Sequence, residues 1–441
     1  MKSPILPSLK ARDTIVYLLG FALFGNSLAQ RISEIVSTSN FISDIGGFGF
    51  LGILMAGSAI SLVATSVQYS IVDRFDRRRS LSFLCLCLSL ALLAINFSFI
   101  LGAPHWLGHS GLYLISEQQY MFYPALFWAL ANSLFDSDRA KQVFPLLVSC
   151  GFAGDIAGIA ISALMPQLKA QFSFGLEGVL AISIALYFLL YLLFEQFLKP
   201  MAKETPSRRE ALDRPSRHPE VPAALHSPSE NRRPALLQEF PLLLRLTLYT
   251  VATFSCAIIV EYRFLVTTEA AFDSPDRLQT FLSLFALARL LAYVVIQMFL
   301  TRRILAKLGL VRSLLLVPTS GIFSALCMMV APGLGGSSTG LTLQKIPQYS
   351  IDETARRVLQ GFAPKHLQGR VSLFLESYAV AAGTFLGALV TAGIVVACDR
   401  MQIPNEHLCY LAAAAIAGLC SAGAIRKLGT NDRALSEAKM S

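Results

Sequence analysis

Ionisable side chains inside long apolar runs are the first candidates for chemistry. Hydrocarbon makes each of them costly unless it has a partner or a task. Asp155 stands near the middle of the run 143–165, and Arg289 near the middle of 278–300. Lys345 lies in the run 338–360, with Pro347 two residues on. An ammonium there can meet a phosphate or carboxylate as a compact point charge. The proline should disturb the helix and free carbonyls beside it, and Gln344, Gln348 and Tyr349 add hydrogen-bonding groups. The bland alternative is a Lys345 that snorkels to a membrane surface. Arg31 and Glu34 are one helical turn apart and can pair locally. Either they neutralise each other near an interface, or they line a binding path together with Asn26 and Gln30. Glu117, Glu261 and Glu376, expected within a few turns of the membrane surfaces, read as structural partners for nearby bases in preference to coupling carboxylates.

Other chemistries lack their residues. No glycine-rich loop ends in Gly-Lys-Ser/Thr, so direct ATP hydrolysis is not supported. The six histidines (105, 109, 218, 226, 366 and 407) fall in expected loops, which disfavours a Ser/His/Asp arrangement, an embedded metal site or a proton relay. Cys85-Leu86-Cys87 lacks the two-residue spacing of a zinc pair. Most cysteines read as small buried hydrophobes, whereas Cys398 and Cys409 flank one expected outer loop and could form a disulfide. The expectation is no catalytic residue, no metal, no cofactor and no enzyme.

The elements that must position these side chains follow from composition. Of 441 residues, 54% are hydrophobic and 15% charged, where soluble domains carry about 25% charged residues. Twelve apolar runs are long enough to cross a bilayer: 14–36, 46–70, 80–102, 112–135, 143–165, 176–198, 238–262, 278–300, 310–331, 338–360, 371–397 and 406–425. Lys2, Lys10 and Arg12 precede the first run as in a signal peptide, but no small-x-small cleavage site follows, so it reads as a retained helix. Helices are required because an open sheet edge in hydrocarbon leaves peptide groups unpaired. With the N-terminus inside, 29 of the 37 Lys and Arg fall in inner segments, four in outer segments and four within spans. That bias places both termini in the cytoplasm. The charge of +9 therefore reflects topology and anionic lipid, and no nucleic acid is implied.

The segment 199–236 is proline-rich, mixed in charge and without apolar periodicity, which reads as a flexible cytoplasmic linker. It divides a six-helix bundle, 1–198, from a second, 237–428, with a cytoplasmic tail at 429–441. Basic turns after the second and eighth runs, and acidic-then-basic turns after the fourth (Asp136 to Lys141) and tenth (Asp352 to Arg357), suggest an internal repeat. Parallel repeats of this kind are a feature of transporters with a site between the halves.

The turn Asp73-Arg-Phe-Asp-Arg-Arg-Arg79 resembles the inter-helix motif of the major facilitator superfamily. Two longer stretches are similar to its ATP:ADP antiporter-like (nucleotide transporter) branch. One is Phe-Trp-Ala-Leu-Ala-Asn-Ser-Leu-Phe-Asp (127–136), with Arg-Ala-Lys-Gln-Val-Phe-Pro (139–145) and Gly-Phe-Ala-Gly-Asp-Ile-Ala-Gly (151–158). The other is Lys-Ile-Pro-Gln-Tyr-Ser-Ile-Asp-Glu-Thr (345–354), with Ala-Pro-Lys (363–365), Arg370-Val371 and Gly-Thr-Phe-Leu-Gly (383–387). The resemblance implies an all-α membrane protein with twelve transmembrane helices in two six-helix pseudo-repeats of the major facilitator type. It implies alternating access, with Asp73, Arg74, Arg77 and Arg78 as a cytoplasmic gate. In that fold the fifth and eighth helices adjoin across the halves, so Asp155 and Arg289 are expected to pair at the seam. A bound solute, or a proton on Asp155, could open such a pair; it would otherwise be a permanent structural one.

The leading expectation is a secondary active transporter moving an organic anion or nucleotide by exchange or symport. Arg31, Glu34, Arg289, Lys345, Gln344, Gln348 and Tyr349 would bind the solute, and Asp155 with Arg289 would couple the halves. The branch would call for more cations in the cavity than this sequence offers. The alternatives are a proton-coupled exporter of a hydrophobic or cationic molecule, and a transport-inactive scaffold or sensor. The expected setting is a bacterial inner membrane, with lipid and a small-molecule substrate as partners of a monomer.

Overall fold

In the computed structural model, residues 9–71, 77–135, 137–172, 176–197, 242–360, 371–372 and 374–429 are described. The apolar runs fold as helices: α1 Leu9–Ile71, α2 Arg77–Ile100, α3 His105–Leu134, α4 Ser137–Phe172, α5 Leu176–Phe197, α6 Leu242–Ala271 and α7 Pro275–Ile296. After these come the short α8 Arg302–Leu308 and α9 Leu310–Leu314, then α10 Leu316–Val330, α11 Leu334–Pro347, α12 Glu353–Gln360, α13 Val380–Arg400 and α14 Glu406–Gly429. Eight helices among the described residues are long and apolar enough to cross a membrane. Large apolar side chains such as Phe83, Leu90, Phe97, Phe299 and Val330 project outward, as a surface solvated by lipid requires. The gate residues Asp73 and Arg74, the side chain of Arg77, the linker 199–236 and the tail 430–441 lie outside the described residues.

Two sequence expectations change here. The loop expected between the first two runs is helical, and α1 carries both runs as one 63-residue element bent at Gly46 (φ +84°). Along its polar stretch, side chains bond back to carbonyls one turn earlier, which satisfies their donors inside the helix. Ser37 Oγ donates to Glu34 O, Asn40 Nδ2 to Val36 O and Ser43 Oγ to Ser39 O, at 2.8–3.1 Å. A positive φ suits glycine, and the bend there turns the chain back. The histidines are the second change: His105 and His109 stand in the first turns of α3, and His407 in α14, not in loops.

Pro347 has the expected effect on its helix. The chain widens into a π turn at Gln348–Asp352 directly after it. Further π turns lie at Gln297–Thr301 and Phe374–Ala379. Cys398 and Cys409 carry free thiols lying side by side across the turn that joins α13 to α14.

One core is built from α1 to α5, around Leu19, Tyr123, Phe127, Tyr187 and Phe194. Another lies within the later helices, around Tyr249, Leu314, Ala355 and Ile425. A third joins the two sets, with Phe41, Phe50 and Leu54 of α1 against Ile259, Tyr262 and Leu265 of α6. Glycines set the closest helix approaches, and they do so twice in the same manner. On α4, a Cβ at Gly154 would run into Phe24 O, and one at Gly158 would meet Leu28 O at 2.6 Å. On α13, Gly383 faces Val251 O at 2.7 Å and Gly387 faces Ser255 at 2.8 Å. Backbone thus lies on backbone along α1/α4 and along α6/α13, the packing that small residues permit in membranes.

Gly154→Leu should drive α4 off α1 and cost about 1–3 kcal/mol. Purified in detergent, it should melt earlier than the parent. Gly393→Ala, whose Cβ would meet nothing within 4 Å, should melt with the parent; equal melting of Gly154→Leu would contradict the packing assigned to that interface.

Candidate functional site

The close α1/α4 approach decides where the first charges meet. A Cβ added at Gly158 would come within 3.0 Å of the Cβ of Arg31, so α4 carries Asp155 onto α1. Arg31 Nε donates to Asp155 Oδ1 at 3.0 Å, and its Nη1 donates to Glu34 Oε2 at 2.8 Å. Gln30 Nε2 donates to the same Glu34 oxygen at 3.0 Å. The local Arg31–Glu34 pair is as the sequence suggests. The Asp155–Arg289 pair is not: Asp155 is held within its own set of helices by the glycine-permitted contact. Arg289 instead lies over the Phe285 ring, 5.5 Å from its centroid, and makes no ion pair among the described residues. The helices expected to adjoin do adjoin, since Gln279 Nε2 of α7 donates to Ser162 O of α4 at 2.8 Å.

On the other side of the seam, Lys345 Nζ donates to Glu261 Oε2 at 2.8 Å. Lys345 is buried at 8% exposure, so it does not snorkel to a surface. It lies over the Tyr349 ring at 5.9 Å, and Tyr349 packs edge-on against Tyr293. Gln344 Nε2 donates to Gln348 Oε1 at 2.8 Å, both side chains being buried. Glu34 and Lys345 both feel Arg289, so charges from α1, α7 and α11 converge on one region.

Glu117 is the residue that sequence reasoning undervalued. It makes no ion pair among the described residues, contrary to its expected place beside a base. Its neighbour is the Tyr113 hydroxyl one turn back, and Glu34, Glu261 and Lys345 act on it. With Ser58, Ser61, Tyr113 and Thr384 it lines a cavity of about 40 Å³ between α1, α3 and α13. The signal was depth. Because α3 starts at His105, Glu117 stands about 18 Å along the helix at 1.5 Å per residue, not within its first turns.

A second charged network lies towards the Ile71 end of the bundle. Tyr249 Oη donates to Asp352 Oδ1 at 2.7 Å. Arg356 reaches Asp352 at 3.5 Å and Glu376 at 3.6 Å, and Gln360 Nε2 donates to Glu376 at 2.8 Å. Glu376 is thus the partner of a base, as expected. Of the gate residues, Arg78 turns inward, 3.4 Å from Phe194 O and 3.8 Å from Glu195. Those partners belong to α5, within its own set of helices. Each of these ion pairs joins helices on one side of the seam. The seam itself is bridged otherwise: Gly47 N–H donates to Glu269 Oε2 at 2.9 Å, and the Ser66 and Tyr378 hydroxyls meet at 2.7 Å.

No protein-family model matches the sequence, and no curated protein sequence matches it. Solved structures do match. The nucleoside transporter NupG matches with a TM-score of 0.60 at 12% identity, over 94% of this chain and 98% of that one. The POT family transporter PepTSo matches with a TM-score of 0.62 at 14% identity, over 94% and 98%. A bacterial homologue of the human lysosomal transporter Spinster, in an inward-facing unoccupied conformation, matches with 0.53 at 15%, over 95% of each chain. The chain has the fold of these transporters. It is a multi-pass membrane fold along nearly its whole length.

Arg31→Ala would strand Asp155 and Glu34 as unpaired carboxylates and should cost roughly 3 kcal/mol. Arg31→Gln with Asp155→Asn should recover much of that loss. A double-mutant cycle on detergent melting checks the coupling; strictly additive losses would contradict the pair.

Proposed function

We propose that this protein is a secondary transporter of the major facilitator type that moves a small polar organic solute by alternating access. In this reading the helices form twelve crossings in two six-helix halves, 1–198 and 237–428, joined by the linker 199–236. Both termini face the cytoplasm of a bacterial inner membrane, in accord with the distribution of basic residues. The observation that carries the reading is convergence. Arg31, Glu34, Glu117 and Asp155 from the first half, and Glu261, Arg289 and Lys345 from the second, are linked by mutual charge interactions inside an otherwise apolar bundle. Intramembrane ionisable groups on both sides of a seam mark a solute pathway.

Charge pairing narrows the solute. Arg31 and Lys345 already have carboxylates at 3.0 Å or less. A nucleotide polyphosphate would have to break both pairs to gain enough positive charge. Of the three cations Arg31, Arg289 and Lys345, Arg289 is the one without an ion pair among the described residues, and it lies over the Phe285 ring. This supports a solute with a single anionic group on Arg289 and a planar or apolar body against Phe285, Tyr293 and Tyr349. Nucleotide exchange, the narrower expectation from the sequence, fits these pairings less well.

Counterflow in liposomes tests the reading, with labelled uridine, uridine monophosphate, ADP, alanylalanine and benzoate. Uridine monophosphate, alanylalanine or benzoate should exchange, and ADP should not. Arg289→Ala should lose about 2 kcal/mol of binding, roughly thirtyfold in apparent affinity. No exchange of any of these solutes by inserted protein would count against transport, and ADP exchange would restore the nucleotide reading.

A further inference from the structure

We propose that Glu117 is the proton-binding residue of this protein, taking a proton from water on one side of the membrane and releasing it on the other. The proposal rests on the transport reading above and adds its coupling ion.

Charge balance points to it. Four carboxylates of the convergent group (Glu34, Asp155, Glu117 and Glu261) face three cations (Arg31, Arg289 and Lys345). Glu34 and Asp155 share Arg31, and Glu261 holds Lys345. The surplus negative charge therefore falls on Glu117, which has no ion pair among the described residues. An uncompensated carboxylate within an apolar bundle is costly, and one proton removes the cost. The groups acting on Glu117 are Tyr113 on its own helix, Glu34 on α1, Glu261 on α6 and Lys345 on α11. The nearby ammonium is committed to Glu261, and the wall supplied by α13 (Val380, Ala381 and Thr384) brings no titratable side chain.

The cavity provides what a proton needs. Ser58 Oγ donates to Leu54 O at 2.8 Å, which leaves its own lone pairs free to accept from a protonated carboxyl. Ser61, Tyr113 and Thr384 add hydroxyls to the same wall. About 40 Å³ is room for water to deliver the proton, since one water needs about 10–15 Å³ of such space. The wall also belongs to both halves: α1 and α3 come from the first and α13 from the second. Rocking that moves α13 relative to α3 changes the water around Glu117. Protonation and the position of the halves are then linked.

The direction of coupling follows from charge. An anionic group arriving at Arg289 adds a negative charge to the group that already holds Glu34 and Glu117, and so favours a proton on Glu117. A solute with one negative charge and one proton would cross together with no net charge moved.

Infrared titration of the purified protein in liposomes, with no solute present, tests the site directly. The wild type should gain a protonated-carboxyl C=O band as pH falls, Glu117→Gln should lack it, and Glu195→Gln should keep it. The same band in Glu117→Gln would overturn the proposal, as would a wild-type titration that differs between sodium and potassium buffers, which would indicate a metal cation at the site. In a second arm, proteoliposomes given an inward proton gradient should accumulate uridine monophosphate, alanylalanine or benzoate. Glu117→Gln should lose that accumulation, and the counterflow it retains should no longer change with pH, because exchange needs no net proton transfer. Gradient-driven accumulation by Glu117→Gln would overturn the assignment even with transport intact. If none of the solutes exchanges in the wild type, the transport reading falls and the infrared result alone decides Glu117.

Discussion

A charge buried among apolar helices has to be answered where it lies. On insertion scales each Arg, Lys or Asp at the centre of a membrane helix costs about 3 kcal/mol. Arg31 is answered by two carboxylates, Lys345 by Glu261, and Arg356 by Asp352 and Glu376. These pairs fix which helix faces meet: α4 on α1 through Asp155, α6 on α11 through Glu261. They also stay on one side of the seam. Contacts across it are of another kind, a backbone amide to Glu269, a glutamine amide to a carbonyl and two hydroxyls. Single hydrogen bonds of this sort contribute about 1 kcal/mol net each, less than breaking a buried ion pair would cost. Strong pairs within each set of helices and weak bridges between the sets would suit the rocking motion proposed above.

Backbone packing reinforces the same division. Gly154 and Gly158 seat α4 on the carbonyls of α1, and Gly383 and Gly387 seat α13 on α6. In chain order these lie in the fifth and eleventh of the twelve apolar runs. Each set of helices thus carries one pair in backbone contact, difficult to shear. Across the seam the packing is by side chains, as in the contact of Ile35 and Ile159 with Leu290 and the ring contact of Phe152 with Tyr293. Side chains can change rotamer and partner, whereas a glycine-backbone contact has nothing to rearrange.

Much of this architecture was legible in the sequence because it is written in composition. Apolar runs specify spanning helices whatever their neighbours, Pro347 marks a broken turn whatever surrounds it, and an i, i+3 pair such as Arg31 and Glu34 needs only its own helix. Pairings between helices were not legible, because rotation about a helix axis is set by packing. Asp155 and Arg289 have matching depths, and depth alone suggested a bond. The glycines of α4 turn Asp155 towards Arg31 instead, and a sequence gives their spacing without saying which helix they face. Glu117 was misjudged for a related reason. The polar start of α3 (His105, Gly108, His109) hid seven residues of helix, and a short error in the start moved a mid-helix carboxylate to an expected surface.

The same reasoning bears on where such a protein can bend. A π turn leaves the regular ladder one residue out of register and is a recurrent feature of functional sites. All three described π turns lie in the later helices, and two of them, Gln348–Asp352 and Phe374–Ala379, contain Asp352 and Glu376, the carboxylates that hold Arg356. Tyr349 belongs to the first of these turns and sits under the Lys345 ammonium; Tyr378 belongs to the second and meets Ser66 across the seam. The widened turns therefore connect the candidate site, a buried charged network and a bridge to the other half within a few residues of chain. Arg356 holds Asp352 of the first turn and Glu376 of the second, so a shift that moves Tyr349 in one is transmitted to the turn that carries Tyr378. In the proposed transport cycle that ion-pair link is a physical route from the site to the Ile71 end, and it needs no contact between the solute and the seam.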